Sequence, residues 1–227
     1  MRKVDSVVNL DPIAVNKRKQ PGLIGRFFMT KHFRGKHLDK CPDFGHYLLC
    51  GPQGSSKTSS AIFLVEYYTK KYQKQKKNVV IFSNMGIGHQ ISKFTIHPTF
   101  VKCEYDPNTI YIFLIDEIHT YFPKDTKDKV TLLEIDKLTS DFSQLRKRQA
   151  YVFSTSQVYG RVNKNLREQC LYMVACKRSF FNKCVNDFIP GDDIMCDDLG
   201  RWSGTPKYIF VHGLPKTQFD THKLILS

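Results

Sequence analysis

The chain has 227 residues, with 35 Lys+Arg against 21 Asp+Glu and a formal charge of +14. Its 41% hydrophobic and 13% aromatic content excludes a disordered chain, and its length admits one large domain or a domain with an appendage. No run of about 18 apolar residues occurs, and residues 1–20 lack the apolar stretch of a signal peptide, so a cytoplasmic protein without a membrane span is expected.

Residues 1–40 are basic and punctuated by Pro12, Pro21, Gly22, Gly25 and Gly35, and they read as an arm. Tyr47–Cys50 is a short apolar run ending at Gly51, a buried strand. Thr58–Tyr72 carries Ala61, Ile62, Leu64, Val65, Tyr68 and Tyr72 at helical spacing, and the lysines that follow suit a helix C-terminus. Asn78–Ser83 is a second strand. Met85–Pro107 contains the breakers Gly86, Gly88, Pro98 and Pro107 and gives no clear period. Ile110–Ile115 is apolar throughout, as expected of a central strand covered on both faces. Thr131–Gln149 predicts a helix with Leu133, Ile135, Leu138, Phe142 and Leu145 as its stripe. Strands over Ala150–Ser154 and Leu171–Cys176 follow, with a short helix beginning near Val162 between them. After Lys177 the pattern loosens, with a last strand over Lys207–His212.

Strands alternating with helices predict an α/β fold with a mainly parallel central sheet flanked by helices. The expected organisation is the arm over 1–40, a core over 41–183 and an extension over 184–227 packed on it. Cys41, Cys50, Cys103, Cys170, Cys176, Cys184 and Cys196 form no C-x-x-C pair, which argues against a zinc site or a disulfide framework.

Between the first strand and the first helix stands Gly51-Pro52-Gln53-Gly54-Ser55-Ser56-Lys57-Thr58. It matches the phosphate loop G-x-x-x-x-G-K-[ST] except that Ser56 replaces the second motif glycine. A serine there is expected to need a slightly different loop path, helped by the freedom of Gly54. The segment from Gly51 to Ser59 would hold the phosphates of ATP, with the backbone N–H groups of all its residues but Pro52 available to face them. Lys57 would bridge the β- and γ-phosphates, and Thr58 would ligate Mg²⁺. The competing reading is a Gly/Ser turn with a capping serine.

Leu114-Ile115-Asp116-Glu117 ends the most apolar strand with two acids. Strand C-termini line the ligand crevice of an α/β sheet. Asp116 is therefore a candidate Mg²⁺ holder and Glu117 a candidate base for the attacking water. Gln157, closing Ser154-Thr155-Ser156-Gln157, is a candidate sensor of the γ-phosphate, and Asn84 holds a similar place after the second strand.

The order of these elements resembles the additional-strand class of P-loop NTPases, in which an extra strand separates the Walker A and Walker B strands. Within that class, Gly51–Thr58, Leu114–Phe122, Gln144–Arg148, Ser154–Gln157 and Arg161–Gln169 are similar to Zot-like morphogenesis ATPases and genome-packaging ATPases of the FtsK–HerA superfamily. The similarity spans about residues 45 to 178. It implies an ATP-hydrolysing motor that translocates DNA in viral genome packaging or virion assembly. It also implies a homo-oligomeric, hexameric ring with ATP between subunits and a trans-acting arginine: Arg148 or Arg146 first, Arg167 or Arg161 second. Members from filamentous phages carry a membrane span, absent here, which favours a soluble motor. DNA would be held through its phosphate backbone, without sequence specificity, and capsid or coat proteins are further expected partners. The alternatives are a nucleotide-switched assembly or secretion factor contacting coat proteins, and a helicase- or terminase-like ATPase. Asp192, Asp193, Asp197 and Asp198 form an acidic cluster that would bind metal, stay solvated or pair with the basic arm, and Trp202 would pack on the core or at an interface.

Overall fold

The computed structural model describes residues 44–179 and 183–215. The basic arm over 1–40, with Cys41, and residues 216–227 lie outside the described residues. Strands β1 (Gly45–Cys50), β2 (Asn78–Ser83), β3 (His89–Gln90), β4 (Thr109–Ile115), β5 (Ala150–Ser156), β6 (Cys170–Ser179), β7 (Lys183–Pro190) and β10 (Tyr208–His212) form one sheet in the order β10-β7-β6-β1-β5-β4-β2-β3. The short β8 (Met195–Cys196) and β9 (Trp202–Ser203) pair with each other. From β6 to β3 the sheet is parallel, and β7 and β10 add to it antiparallel.

Both faces of the sheet are covered, which explains the unbroken apolar runs. On one face lies α1 (Lys57–Lys74), packed through Ala61, Leu64, Val65, Tyr68 and Tyr72 onto Tyr47, Leu49, Ile110, Ile112, Leu114, Tyr151 and Phe153. On the other lie α2 (Ile96–Lys102), the single turn α3 (Ile118–Tyr121), α4 (Lys129–Ser143) and α5 (Lys164–Glu168), over Leu48, Cys50, Phe113, Ile115 and Val152. Alternate residues of each strand thus feed alternate cores.

Several sequence expectations change here. α4 stops at Ser143, and a turn with Gln149 at φ 53° joins it to β5. Leu133 does not join the stripe: it is 55% exposed, whereas Ile135, Leu138, Phe142 and Leu145 are buried. Its position two residues before Ile135 puts it on the opposite side of the helix. Pro98, read as a breaker, lies in the first turn of α2, where its missing N–H has no helical acceptor to lose. β7 went unrecognised because Asn186 and Asp187 interrupt its apolar pattern. Both are buried and partnered: Ser60 Oγ donates to Asn186 Oδ1 at 2.9 Å, and Lys177 Nζ lies 2.6 Å from Asp187 Oδ2. The sheet therefore runs on through β7 and β10, across the expected boundary at 183/184. Trp202 packs into the core rather than an interface. Asp197 pairs with Arg201 at 2.8 Å, and no cluster of metal-ligating side chains occurs among the described residues.

Candidate nucleotide site

The loop between β1 and α1 wraps the N-terminus of an 18-residue helix that has no acid in its first turn and no side-chain cap. Its free N–H groups and positive dipole end are left for an anion. Gly51 is fixed by close approach: a Cβ there would stand 2.5 Å from Ser55 Oγ and 2.7 Å from the carbonyl oxygen of Cys176. Ser55 Oγ is buried without a hydrogen-bond partner among the described residues.

Ser56 sits at φ 68°, ψ 29° as the N-cap of α1. The loop thus takes the left-handed turn that the motif glycine would take, with a serine in its place, and Gly54 at φ 77° is a second such residue. The expected alternative path is not used. A left-handed non-glycine residue costs about 1–2 kcal/mol. Ser56→Gly is expected to raise stability by about 1 kcal/mol after glycine's own entropy is subtracted. A thermal midpoint equal to or below that of the parent would count against this strain.

Strand alternation brings the acids and hydroxyls together. Ile110, Ile112 and Leu114 face α1, so Asp116 does too; Tyr151 and Phe153 face α1, so Thr155 does too. Thr58 Oγ1 donates to Asp116 Oδ1 at 3.0 Å, and Thr155 Oγ1 donates to the same oxygen at 2.7 Å. Thr155 Oγ1 also accepts from the Glu117 N–H at 2.8 Å. The amide of Asn84 clamps the Asp116 peptide from the other side, accepting its N–H and donating to its carbonyl, both at 2.9 Å. Thr155 was not singled out from the sequence, although the period-two pattern from Tyr151 and Phe153 marks it. Asn84, ambiguous in the sequence, is placed by this clamp.

Glu117 is in left-handed backbone conformation (φ 51°, ψ 47°). Burial pushes its carboxyl above the usual carboxylate range, the charge of Asp116 adds to this, and Lys57 opposes it. Its Oε2 lies 3.2 Å from Nδ1 of His119 but is buried without a hydrogen-bond partner among the described residues. That nitrogen is also 3.3 Å from Ser156 Oγ. Burial first, then the charges of Arg161 and Lys57, lowers the His119 pKa, which disfavours a charged imidazolium beside Glu117. Lys57 is buried, and its Nζ donates to the Pro52 carbonyl at 3.2 Å.

Cys50 of β1 pairs with Ser156 of β5, so Gly51 and Gln157 continue from adjacent strand tips, and Gln157 is exposed there. Arg161 is exposed at the same end, lining a cleft of about 500 Å³ with His119, Lys124 and Leu199. The loop carrying it is held where Gly160 meets Gly200: a Cβ on Gly160 would stand 2.1 Å from Gly200 Cα. Arg167 lies over the Tyr159 ring, 5.0 Å from its centroid. Arg146 and Arg148 stand at the opposite end, before β5 begins. Arg146 is exposed, whereas the Arg148 guanidinium donates to the carbonyls of Phe100 and Cys103 at the end of α2, at 2.9 and 3.2 Å.

No protein-family model matches the chain, and no curated protein matches it by sequence. Among solved structures, a DnaB-like replicative helicase aligns with a TM-score of 0.50 at 12% identity, over 73% of this chain and 60% of that one. The N-terminal domain of zonular occludens toxin from Neisseria meningitidis aligns at 0.49 and 14% identity, over 77% and 96%. The genome packaging NTPase B204 from Sulfolobus turreted icosahedral virus 2, in complex with ATP-gammaS, aligns at 0.43 and 9%, over 76% and 99%. In this chain β5 lies between β1, which leads into the phosphate loop, and β4, which ends in Asp116-Glu117. The described residues have the P-loop NTPase fold of the additional-strand class.

Proposed function

We propose that the chain is an ATP-hydrolysing motor that moves DNA, a Zot-like member of the FtsK–HerA superfamily acting in viral genome packaging or virion assembly. One observation carries the hydrolytic part: Thr58, Asp116 and Thr155 are hydrogen-bonded in a chain at the mouth of the phosphate loop, and beside them the half-buried Glu117 has its Oε2 buried with no hydrogen-bond partner among the described residues. A merely structural Gly/Ser turn has no use for that carboxylate. Thr58 and Asp116 supply the hard oxygen ligands that suit Mg²⁺. When bound, the ion would neutralise charge on the phosphate oxygens.

The loop N–H groups and Lys57 would hold the phosphates. Asn84 and Thr155 fix the Asp116–Glu117 backbone from its two sides. Glu117 is then the acceptor for the proton of the attacking water, and Gln157 at the neighbouring tip would contact the γ-phosphate. A ring of copies, hexameric in this reading, would bring an arginine from the next subunit. Arg161 is the first choice, because it is exposed at the strand-tip end, whereas Arg148 is committed to α2. DNA as partner is supported by the net charge of +14, and coat or capsid proteins remain partners of the same proposal. Among the described residues no helix is long and apolar enough to cross a membrane.

The purified full chain is expected to hydrolyse ATP only with a divalent cation. Mg·ATP at about 100 times its Kd should stabilise the fold by about 2.7 kcal/mol, read as a rise in thermal midpoint that EDTA reverses. A folded protein showing neither turnover nor a shift would sink the reading. A shift without turnover would favour the nucleotide-switched assembly factor.

A further inference from the structure

Two separate basic stretches of the sequence and a further lysine meet at one end of the sheet. The central parallel strands start there, with Gly45 beside Tyr151, Asn78 beside Thr109 and Ala150 beside Tyr111. α1 arrives with Lys70, Lys71 and Lys74, and Lys76 and Lys77 follow before β2. α2 arrives with Lys102, and the turn before β5 brings Arg146, Lys147 and Arg148. Contacts tie the stretches together: Lys77 Nζ donates to Gln149 Oε1 at 3.4 Å, and Arg148 reaches the end of α2. The nearby carboxylates in sequence are Glu66, Glu104, Asp106 and Asp141; Glu66 already lies 3.7 Å from Lys70 and Asp141 2.7 Å from His97.

Helix ends account for only part of this charge. α1, α2 and α4 all finish here, and each C-terminus carries about half a negative charge. Arg148 meets the α2 carbonyls, while Lys71 and Lys77 lie over the Tyr72 ring at 5.6 and 5.8 Å. Lys74, Lys76, Lys102, Arg146 and Lys147 are left facing solvent. Tyr105, three residues after Lys102, is 61% exposed. The chain also joins the fold at this end: Phe44 stacks on Tyr72 with ring centroids 6.2 Å apart. The stretch that precedes it in sequence carries Arg26, Lys31, Arg34, Lys36 and Lys40.

We propose that this end of the sheet, opposite the phosphate loop, is the nucleic-acid surface, with the lysines on backbone phosphates and Tyr105 stacked on an unpaired base. It rests on the DNA reading above for the polymer, and not on hydrolysis. Exposed cations spread over three elements suit a polyanion, and an aromatic ring beside them suits a single strand.

The test uses the full chain and fluorescently labelled single-stranded and duplex DNA, titrated by anisotropy across salt concentrations. Lys74→Glu, Lys76→Glu, Lys102→Glu and Lys147→Glu combined should weaken DNA binding at least about tenfold and flatten the log–log salt slope by about 0.7–0.9 per lost contact. ATP turnover without DNA should stay at the parent's value, and Lys164→Glu should change neither quantity. Tyr105→Ala should weaken single-strand binding about tenfold and duplex binding little. Because residues before Phe44 contribute their own charge, acylation footprinting supplies a second readout. DNA should protect Lys74, Lys76, Lys102 and Lys147 but not Lys164. Parent-like DNA affinity in the fourfold variant together with no protection overturns the proposal, and so does binding confined to anionic phosphatidylserine vesicles. If DNA protects these lysines while Lys57→Ala leaves hydrolysis intact, only the nucleotide reading falls. If protection is absent while Lys57→Ala abolishes hydrolysis, only this surface falls.

Discussion

Glu117→Gln is expected to lower the kcat of ATP hydrolysis by about 10²–10⁴-fold, the usual worth of a positioned base, with nucleotide binding retained. The substitution keeps the shape of the side chain but removes its negative charge and its capacity to take a proton. Thr155 and the left-handed turn at 117 hold the backbone either way. Burial and the neighbouring Asp116 raise the carboxyl pKa, and below that pKa Glu117 is protonated and inactive as a base. The acid limb of the parent pH–rate profile should therefore lie above the ordinary carboxylate range. Stability should move in the opposite sense. A carboxyl whose pKa is raised by folding stabilises the fold fully at acid pH and loses that contribution as pH rises through the raised value. The Gln variant should thus melt above the parent at alkaline pH and level with it at acid pH. Turnover within a few-fold of the parent in a folded Gln variant would remove Glu117 from the chemistry.

Lys57→Ala is expected to cut turnover by about 10²–10³-fold or more, by analogy with the loss of one preorganised donor to developing charge, and to weaken ATP binding as well. Lys57 is 7% exposed and its Nζ rests on the Pro52 carbonyl, a place from which the ammonium can turn toward phosphate without leaving the loop. Alanine is the better helix former, and the loss of the Lys57 charge beside Glu117 is met by a further rise of that carboxyl's pKa, so the fold should survive. Single-turnover kinetics, a nucleotide titration and a thermal melt distinguish this from unfolding. A folded Ala variant with parental affinity and rate would refute the site.

The parts of the fold that are apolar on both faces were legible in the sequence. Ile110–Ile115 and the strand from Ala150 need no tertiary information, because their burial is written as continuous hydrophobicity, and the apolar run within Asn78–Ser83 reads the same way although that strand is mostly half-buried. β7 was hidden because its buried Asn186 and Asp187 make sense only beside Ser60 and Lys177, residues 126 and 10 positions away. The phosphate loop and the acids after β4 were readable as a motif. Thr155 was readable only once the sheet's two faces were assigned, since its role depends on which side of β5 faces α1. Ser56 shows the limit of motif matching: the pattern asks for glycine, but what the loop requires is a positive φ, and serine supplies it here at a cost in strain.

α1 begins at the phosphate loop and ends among the lysines. Its 18 residues make a rod about 27 Å long at about 1.5 Å per residue. Such a rod can tilt or slide over the sheet but cannot shorten, so a displacement imposed at one tip reappears at the other. If the two proposed sites are both real, whatever free energy a polyanion gains or loses when the nucleotide changes, the nucleotide gains or loses equally when the polyanion binds, and this helix has one end at each.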